Sequence, residues 1–333
     1  MKKIFLIAVV CFLFVAAKAQ TVKVIVSGKK SSLRGLSVVS DKVIWVSGSG
    51  GTVGKSVDGG DNWTWTTVKA FEKTDFRDIE AFDAKTAIIM GVDSPAYILK
   101  TVDGGSTWTT VYSNNTKGMF LDAMEFWNEM SGIVIGDPIN DKIFIARTFD
   151  GGKTWKELPD QYFPVALKGE ACFASSGTNI AALNLREAVF VTGGTHSRMF
   201  IRDQKFELPL LQGKETTGAN SVGVKHVKKQ HTIIVVGGDF TTKDSTTKNC
   251  CITTDDGKTF SVPAIGPHGY RSCVEYLHGN DWVTCGINGV DLSSDNGNTW
   301  TWISKDGFNA CRKAKKGKAV FFVGNGKIGK LYE

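Results

Sequence analysis

An eight-residue phrase, Ser/Thr-x-Asp-x-Gly-x-x-aromatic, occurs five times in this 333-residue chain, at Ser56–Trp63, Thr101–Trp108, Thr148–Trp155, Thr253–Phe260 and Ser293–Trp300. Its aspartates are 45, 47, 105 and 40 residues apart, and the long interval has room for one degenerate copy, supplied by Arg202-Asp203-Gln204-Lys205-Phe206. A period of roughly 40 to 53 residues is the size of a four-stranded propeller blade. The box has a structural task in such a blade. Its carboxylate can accept backbone N–H groups, its hydroxyl can tie the turn, its glycine tolerates positive φ, and its aromatic can pack between blades. Asp58, Asp103, Asp150, Asp255 and Asp295 are therefore read as turn residues and not as catalysts or ligands.

Between the boxes run short apolar stretches, each closed by a glycine within two residues: Val43–Val46, Ala87–Met90, Ile133–Ile135, Ala188–Val191, Ile233–Val236, Trp282–Thr284 and Ala319–Val323. Runs this short, bounded by turn residues, read as strands. Seven of them imply seven blades, each run being a second strand. The last unit, Phe308 to Tyr332, has no box and no fourth strand, while Val22–Val26 stands alone before the first blade. Pairing the two closes the ring and removes exposed edges. The expected fold is all-β: one seven-bladed propeller of four-stranded antiparallel blades over residues 20–333. With 42% hydrophobic residues the chain can bury such a core, which excludes wholesale disorder.

Residues 1–19 are set apart from the fold. Lys2 and Lys3 precede an apolar run from Ile4 to Val15, and Ala17-Lys18-Ala19 follows, the order of a secretory signal. Cleavage before Gln20 predicts an exported protein, periplasmic or secreted, without a membrane span. It also removes three lysines, lowering the formal charge from +7 to +4, which says little about partners. Six cysteines remain: Cys172, Cys250, Cys251, Cys273, Cys285 and Cys311. They have no zinc or redox spacing and read as small core residues, so no metal and no cofactor is expected. The best disulfide candidate is Cys273 with Cys285, placed opposite each other by a turn near Gly279.

The boxes resemble bacterial neuraminidase repeats, and the phrases between them resemble the photosystem II stability/assembly factor family of exported propellers, with its non-photosynthetic bacterial relatives. The phrases are Leu33-Arg34-Gly35-Leu36, Asp75-Phe76-Arg77-Asp78-Ile79, Phe120-Leu121-Asp122-Ala123 with Phe126-Trp127, Gly136-Asp137-Pro138, Gly169-Glu170, Gly193-Gly194, Gly237-Gly238-Asp239 and Gly269-Tyr270-Arg271-Ser272. The resemblance implies a seven-bladed propeller that binds another protein during assembly through an arginine-rich patch and has no chemistry of its own. Arg34, Arg77 and Arg271 are the arginines within those phrases.

Aligning first strands puts Arg34, Arg77, Leu121, Glu170, Ala219, Arg271 and Asn309 in one column, at the mouth opposite the boxes. The loops after the second strands add Asp93, Asp137, His196 and Asp239 to that face. Three guanidiniums at a concave mouth suit a carboxylate or a C-terminal peptide, because each donates in a planar fork and none loses its charge. Glu170, Asp137 and Asp239 would orient them or make polar contacts. The alternative is that the arginines only pair with Asp75, Asp78 and Glu170 to satisfy a polar channel. A second function class is a sialidase-like or other glycoside hydrolase acting on an acidic glycan. Such an enzyme needs a tyrosine–glutamate nucleophile pair and an acid/base aspartate. Leu33-Arg34-Gly35 departs from the sialidase phrase, and Tyr270, adjacent to Arg271 on a strand, should point the other way. No catalytic residue is assigned, although Glu170 with Asp137 or Asp75 could form a carboxylate pair. The basic runs Lys225–His231 and Arg312–Lys318 read as solvated hairpin tips on the box face without stacking aromatics, so nucleic acid is not expected. The expected partner is a protein or peptide, or else an acidic glycan, bound by a monomer.

Overall fold

The computed structural model describes residues 20–227 and 230–332, so residues 1–19, read from sequence as a secretory signal, lie outside the described residues. Among the described residues no helix is long and apolar enough to cross a membrane. Seven antiparallel sheets form the blades. Their first strands are Leu33–Val38, Phe76–Ala81, Leu121–Phe126, Ile180–Ala182, Thr217–Val227, Cys273–His278 and Ala310–Lys313, in blades 1 to 7. Each first strand lies against that of the next blade, and blade 7 returns to blade 1, so the seven surround one axis. In blade 7 the fourth strand is Thr21–Val26, paired with Lys327–Tyr332, which closes the ring as the sequence predicts. Blade 5 departs from the four-stranded plan: its sheet gains the short strands Glu170–Ala171 and Gly193–Gly194 along its inner edge.

The core explains why second strands read as unbroken apolar runs. Alternate residues of one strand enter different inter-blade cores: Ala87 and Ile89 pack toward blade 1, whereas Ile88 and Met90 pack toward blade 3. A strand buried on both faces has no polar face to show. Cys250 and Cys251 obey the same alternation, one facing blade 6 and the other blade 4.

All five boxes close with the same bonds. The Ser or Thr hydroxyl donates to the aspartate carboxylate at 2.8–2.9 Å and accepts the glycine N–H at 2.9–3.0 Å. The same carboxylate accepts the N–H four residues on at 2.8–3.0 Å. Hydrogen bonds hold Asp58, Asp103 and Asp255 down to about 2, so these carboxylates stay ionised and fully engaged in the turn. The proposed degenerate copy carries no such box. Arg202 and Asp203 form a tight two-residue connection between Arg198–Ile201 and Gln204–Glu207, with Arg202 at φ 55°.

The closing strand packs Val22, Ile25 and Val26 onto the core shared by blades 6, 7 and 1. Deleting residues 20–26 should therefore cost about 3 kcal/mol, from three half-buried aliphatic side chains and a sheet edge laid open. Urea unfolding of the shortened chain measures it; an unchanged midpoint would refute the closure as a source of stability.

Candidate functional site

In blades 1, 2, 3 and 5 the pairing of first and second strands skips one residue at the same place. The residues left out are Arg34, Arg77, Asp122 and Asn220. Ser272 and Asn309 hold the corresponding place in blades 6 and 7: each precedes the first paired residue and donates its N–H to the second strand, at 2.9 and 2.7 Å. A bulge re-aims a side chain. Here it turns these residues toward the axis at the mouth opposite the boxes. The column aligned from sequence is thus one residue early in blades 3, 5 and 6, where it named Leu121, Ala219 and Arg271.

In blade 4 the alignment is further off, because the chain between Glu170 and Ile180 is not a strand leading into the blade. Residues 173–178 cross the axis as a plug. Ser175 O accepts Arg34 Nη1 at 3.0 Å, and Ser175 Oγ donates to Asn220 at 2.9 Å. Ser176 Oγ donates to Ser272 O at 2.7 Å, and Gly177 O accepts Arg312 Nη2 at 3.1 Å. Gly177 has φ +65°, and a Cβ there would lie 2.4 Å from the Asp78 carboxyl. Only glycine fits this crossing.

The plug floors a concave mouth of about 480 Å³, lined by Arg34, Arg77, Phe120, Asp137, Phe173 and Tyr270 among others. Arg77 Nε donates to Asp75 at 2.8 Å and its guanidinium lies 5.7 Å from the Phe120 ring. Beyond Arg34 Nη1 to Ser175 and Arg77 Nε to Asp75, neither guanidinium makes a further hydrogen bond among the described residues. Across from them Phe173, Phe240 and Tyr270 form an edge-to-face chain with centroids 6.1 and 6.3 Å apart. Tyr270 is the residue that sequence reasoning turned away from the mouth. It lines the wall, and its hydroxyl donates to Asn220 at 2.8 Å.

Asp137 also lines the mouth, accepting Cys172 N–H at 2.9 Å. Burial pushes its carboxyl up to about 6, with the Cys172 hydrogen bond working against the shift. Asp122, the bulge residue of blade 3, is fully buried nearby, and no hydrogen bond of normal geometry reaches either of its oxygens. Burial, reinforced by Asp137, holds it well above the ordinary carboxylate range.

The other expected site residues lie elsewhere. Arg271 is fully buried inside blade 6, donating to Asp291 from Nε at 2.7 Å and to Tyr270 O and His268 O at 2.8 and 2.9 Å. Its one-residue offset from Ser272 on an extended chain sends it to the opposite side. The mouth therefore holds two of the three arginines. Glu170 accepts Leu167 N–H at 2.8 Å and Arg198 Nε at 2.9 Å, a buried ion pair at the junction of blades 4 and 5 that leaves it no free oxygen for catalysis with Tyr270 or Asp137. Asp239 caps its own turn by accepting Thr241 N–H at 2.9 Å. Arg312 is likewise not part of a hairpin tip. It lies on a first strand, pairs with Glu275 at 3.5 Å, and faces a chamber below the plug with Asp78, Glu125 and Glu275. Burial pushes these three carboxyls up to about 7, 8 and 6, against the pull of Arg312.

These placements predict opposite mutational signatures. Arg271→Ala strands Asp291 as a buried unpaired charge and should cost about 3–5 kcal/mol. Arg34 and Arg77 are partly buried but each makes a single hydrogen bond, so Arg34→Ala and Arg77→Ala should each cost about 1 kcal/mol, well below Arg271→Ala. Urea denaturation of the three variants decides; equal losses would mean that Arg271 is not a structural pair.

No protein-family model matches this chain, and no curated protein does. Among solved structures it is similar to "YCF48 bound to D1 peptide", with 16% identity, a TM-score of 0.62 and 96% of each chain covered. It is similar to YCF48 from Cyanidioschyzon merolae at 17% identity and TM-score 0.61, over 94% of this chain and 99% of that one. A streptogramin B lyase structure superimposes comparably, at 13% identity and TM-score 0.61, over 94% and 97%. A binding protein and a lyase thus share one scaffold, and identities this low carry architecture without activity. What the likeness establishes is a YCF48-like propeller fold.

Proposed function

We propose that this chain is an exported binding or assembly module, related to the photosystem II stability/assembly factor-like propellers, that takes the carboxylate end of a peptide in the plugged mouth. The observation that carries the reading is the pairing of Arg34 and Arg77, with donors to spare, opposite the Phe173–Phe240–Tyr270 wall. Guanidiniums supply planar donors for a carboxylate, and the aromatic wall supplies apolar contact for the side chains next to it. The propeller solved with a D1 peptide supports the reading, because it is a peptide binder with this architecture. The signal order at residues 1–19 supports action outside the cytoplasm.

Peptides ending in a free carboxylate after apolar residues should bind, and their C-terminally amidated forms should bind at least roughly ten-fold more weakly, since a charge-assisted pair is lost. Arg34→Ala and Arg77→Ala should each weaken binding to a similar degree, and added salt should weaken it for the wild type. Fluorescence anisotropy over a labelled peptide panel measures this. Equal affinity for acid and amide forms, or binding of sialylated glycans in place of peptides, would overturn the carboxylate-peptide reading.

The pH profile carries a sign. Asp137 titrates at about 6, so lowering the pH from 7 to 5 removes a negative charge from the mouth while a peptide carboxylate stays ionised down to about 4. Affinity should rise a few-fold over that interval, and Asp137→Asn should flatten the rise. A fall in wild-type affinity between pH 7 and 5 contradicts the assignment.

A further inference from the structure

We infer that Cys273, Cys285 and Cys311 form a three-sulfur site for one monovalent copper ion, joining blade 6 to the closing blade 7. Cys273 and Cys285 face each other as a direct cross-strand pair, and Cys311 comes from the first strand of the next blade. All three are fully buried, and their sulfurs lie within 4.8 Å of one another, with Cys311 Sγ 3.6 Å from Cys273 Sγ. With metal–sulfur bonds of about 2.3 Å, the sulfurs of a trigonal or tetrahedral set lie roughly 3.8–4.0 Å apart, so an ion needs only slight adjustment here. A disulfide needs about 2.05 Å between two sulfurs and strands the third.

The donor set selects the ion. Three thiols are soft ligands, and among the described residues no histidine, carboxylate or fourth cysteine joins the group. Zinc in a structural site takes four ligands, whereas soft thiolates alone suit copper in its lower oxidation state. The Cys311 N–H donates to Cys273 Sγ at 3.3 Å and the Cys273 thiol donates to Cys311 O at 3.2 Å, which fixes that sulfur against blade 7, while burial holds the Cys285 and Cys311 thiols protonated until metal displaces their protons. On binding, each thiol that becomes a ligand releases its proton to solvent, and no electron is transferred. The cysteines lie 12 and 26 residues apart, a spacing with no linear metal motif, which is why the expectation from sequence was a disulfide candidate and no metal. Because the sulfurs are enclosed, the ion enters as blade 7 seats against blade 6. Binding therefore favours the closed ring by mass action.

The test unfolds residues 20–333 under argon with reductant and refolds the chain with one equivalent of copper(I) supplied as its acetonitrile complex. A copper(I) chelator then strips loose metal. One copper per chain should remain, with a thiolate-to-copper ultraviolet band and a raised Tm. Cys285→Ser and Cys311→Ser should each lower affinity by more than the roughly 10–100-fold typical of an outer-shell contact, while Cys172→Ser and Cys250→Ser leave it unchanged. X-ray absorption at the copper edge of the wild type needs no variant and must show sulfur neighbours only, three in number. Failure of the wild type to retain copper, retention by a folded Cys311→Ser chain, nitrogen or oxygen in the first coordination sphere, or a disulfide among the three in non-reducing peptide mapping would each overturn the site.

Discussion

One skipped residue in the innermost strand determines what this propeller presents to a ligand. A strand at the axis is packed against neighbours on both sides, so an unbroken ladder would point every side chain into a blade. The bulge frees Arg34, Arg77, Asp122 and Asn220 from that alternation and aims them at the axis. Shift any of them by one residue and it becomes a core side chain, as Arg271 demonstrates by lying wholly inside blade 6 with its own counter-ion.

Polar groups near the axis face a desolvation problem that the molecule solves differently on its two sides. Above the plug, Arg34 and Arg77 meet the mouth with few internal partners. Below it, Arg312 is held among Asp78, Glu125 and Glu275, of which Glu275, at about 6, is the most readily ionised and is the one paired with the guanidinium, while burial pushes Asp78 and Glu125 up to about 7 and 8. The upper side thus carries arginine donors without internal partners, and the lower side an arginine enclosed by carboxyl groups.

The architecture is legible in the sequence because it is written in local chemistry. Each box closes on itself within eight residues, and each doubly buried second strand must be apolar throughout. The N-terminal strand is legible by counting, since blade 7 lacks a partner. The site is legible only in part. Arg34 and Arg77 follow directly from their phrases, but Asp122 and Tyr270 depend on a bulge and a loop that leave no periodic mark. Glu170 was misplaced because the plug, Phe173-Ala174-Ser175-Ser176-Gly177-Thr178, occupies the stretch where a first strand was expected. The thiol group was hidden for a related reason: three cysteines far apart in the chain meet only across two blades.

The plug has a mechanical meaning as well as a geometric one. It leads into blade 4, yet its bonds reach blades 1, 5, 6 and 7, and its glycine passes so near Asp78 of blade 2 that no side chain fits between them. It works as an axle held by most of the wheel. The carbonyls of Ser175 and Gly177 anchor opposite bowls of the molecule, one through Arg34 and the other through Arg312, and they are two residues apart on the same backbone. The two bowls thus share a single diaphragm, one strip of backbone whose opposite faces are each pinned by an arginine.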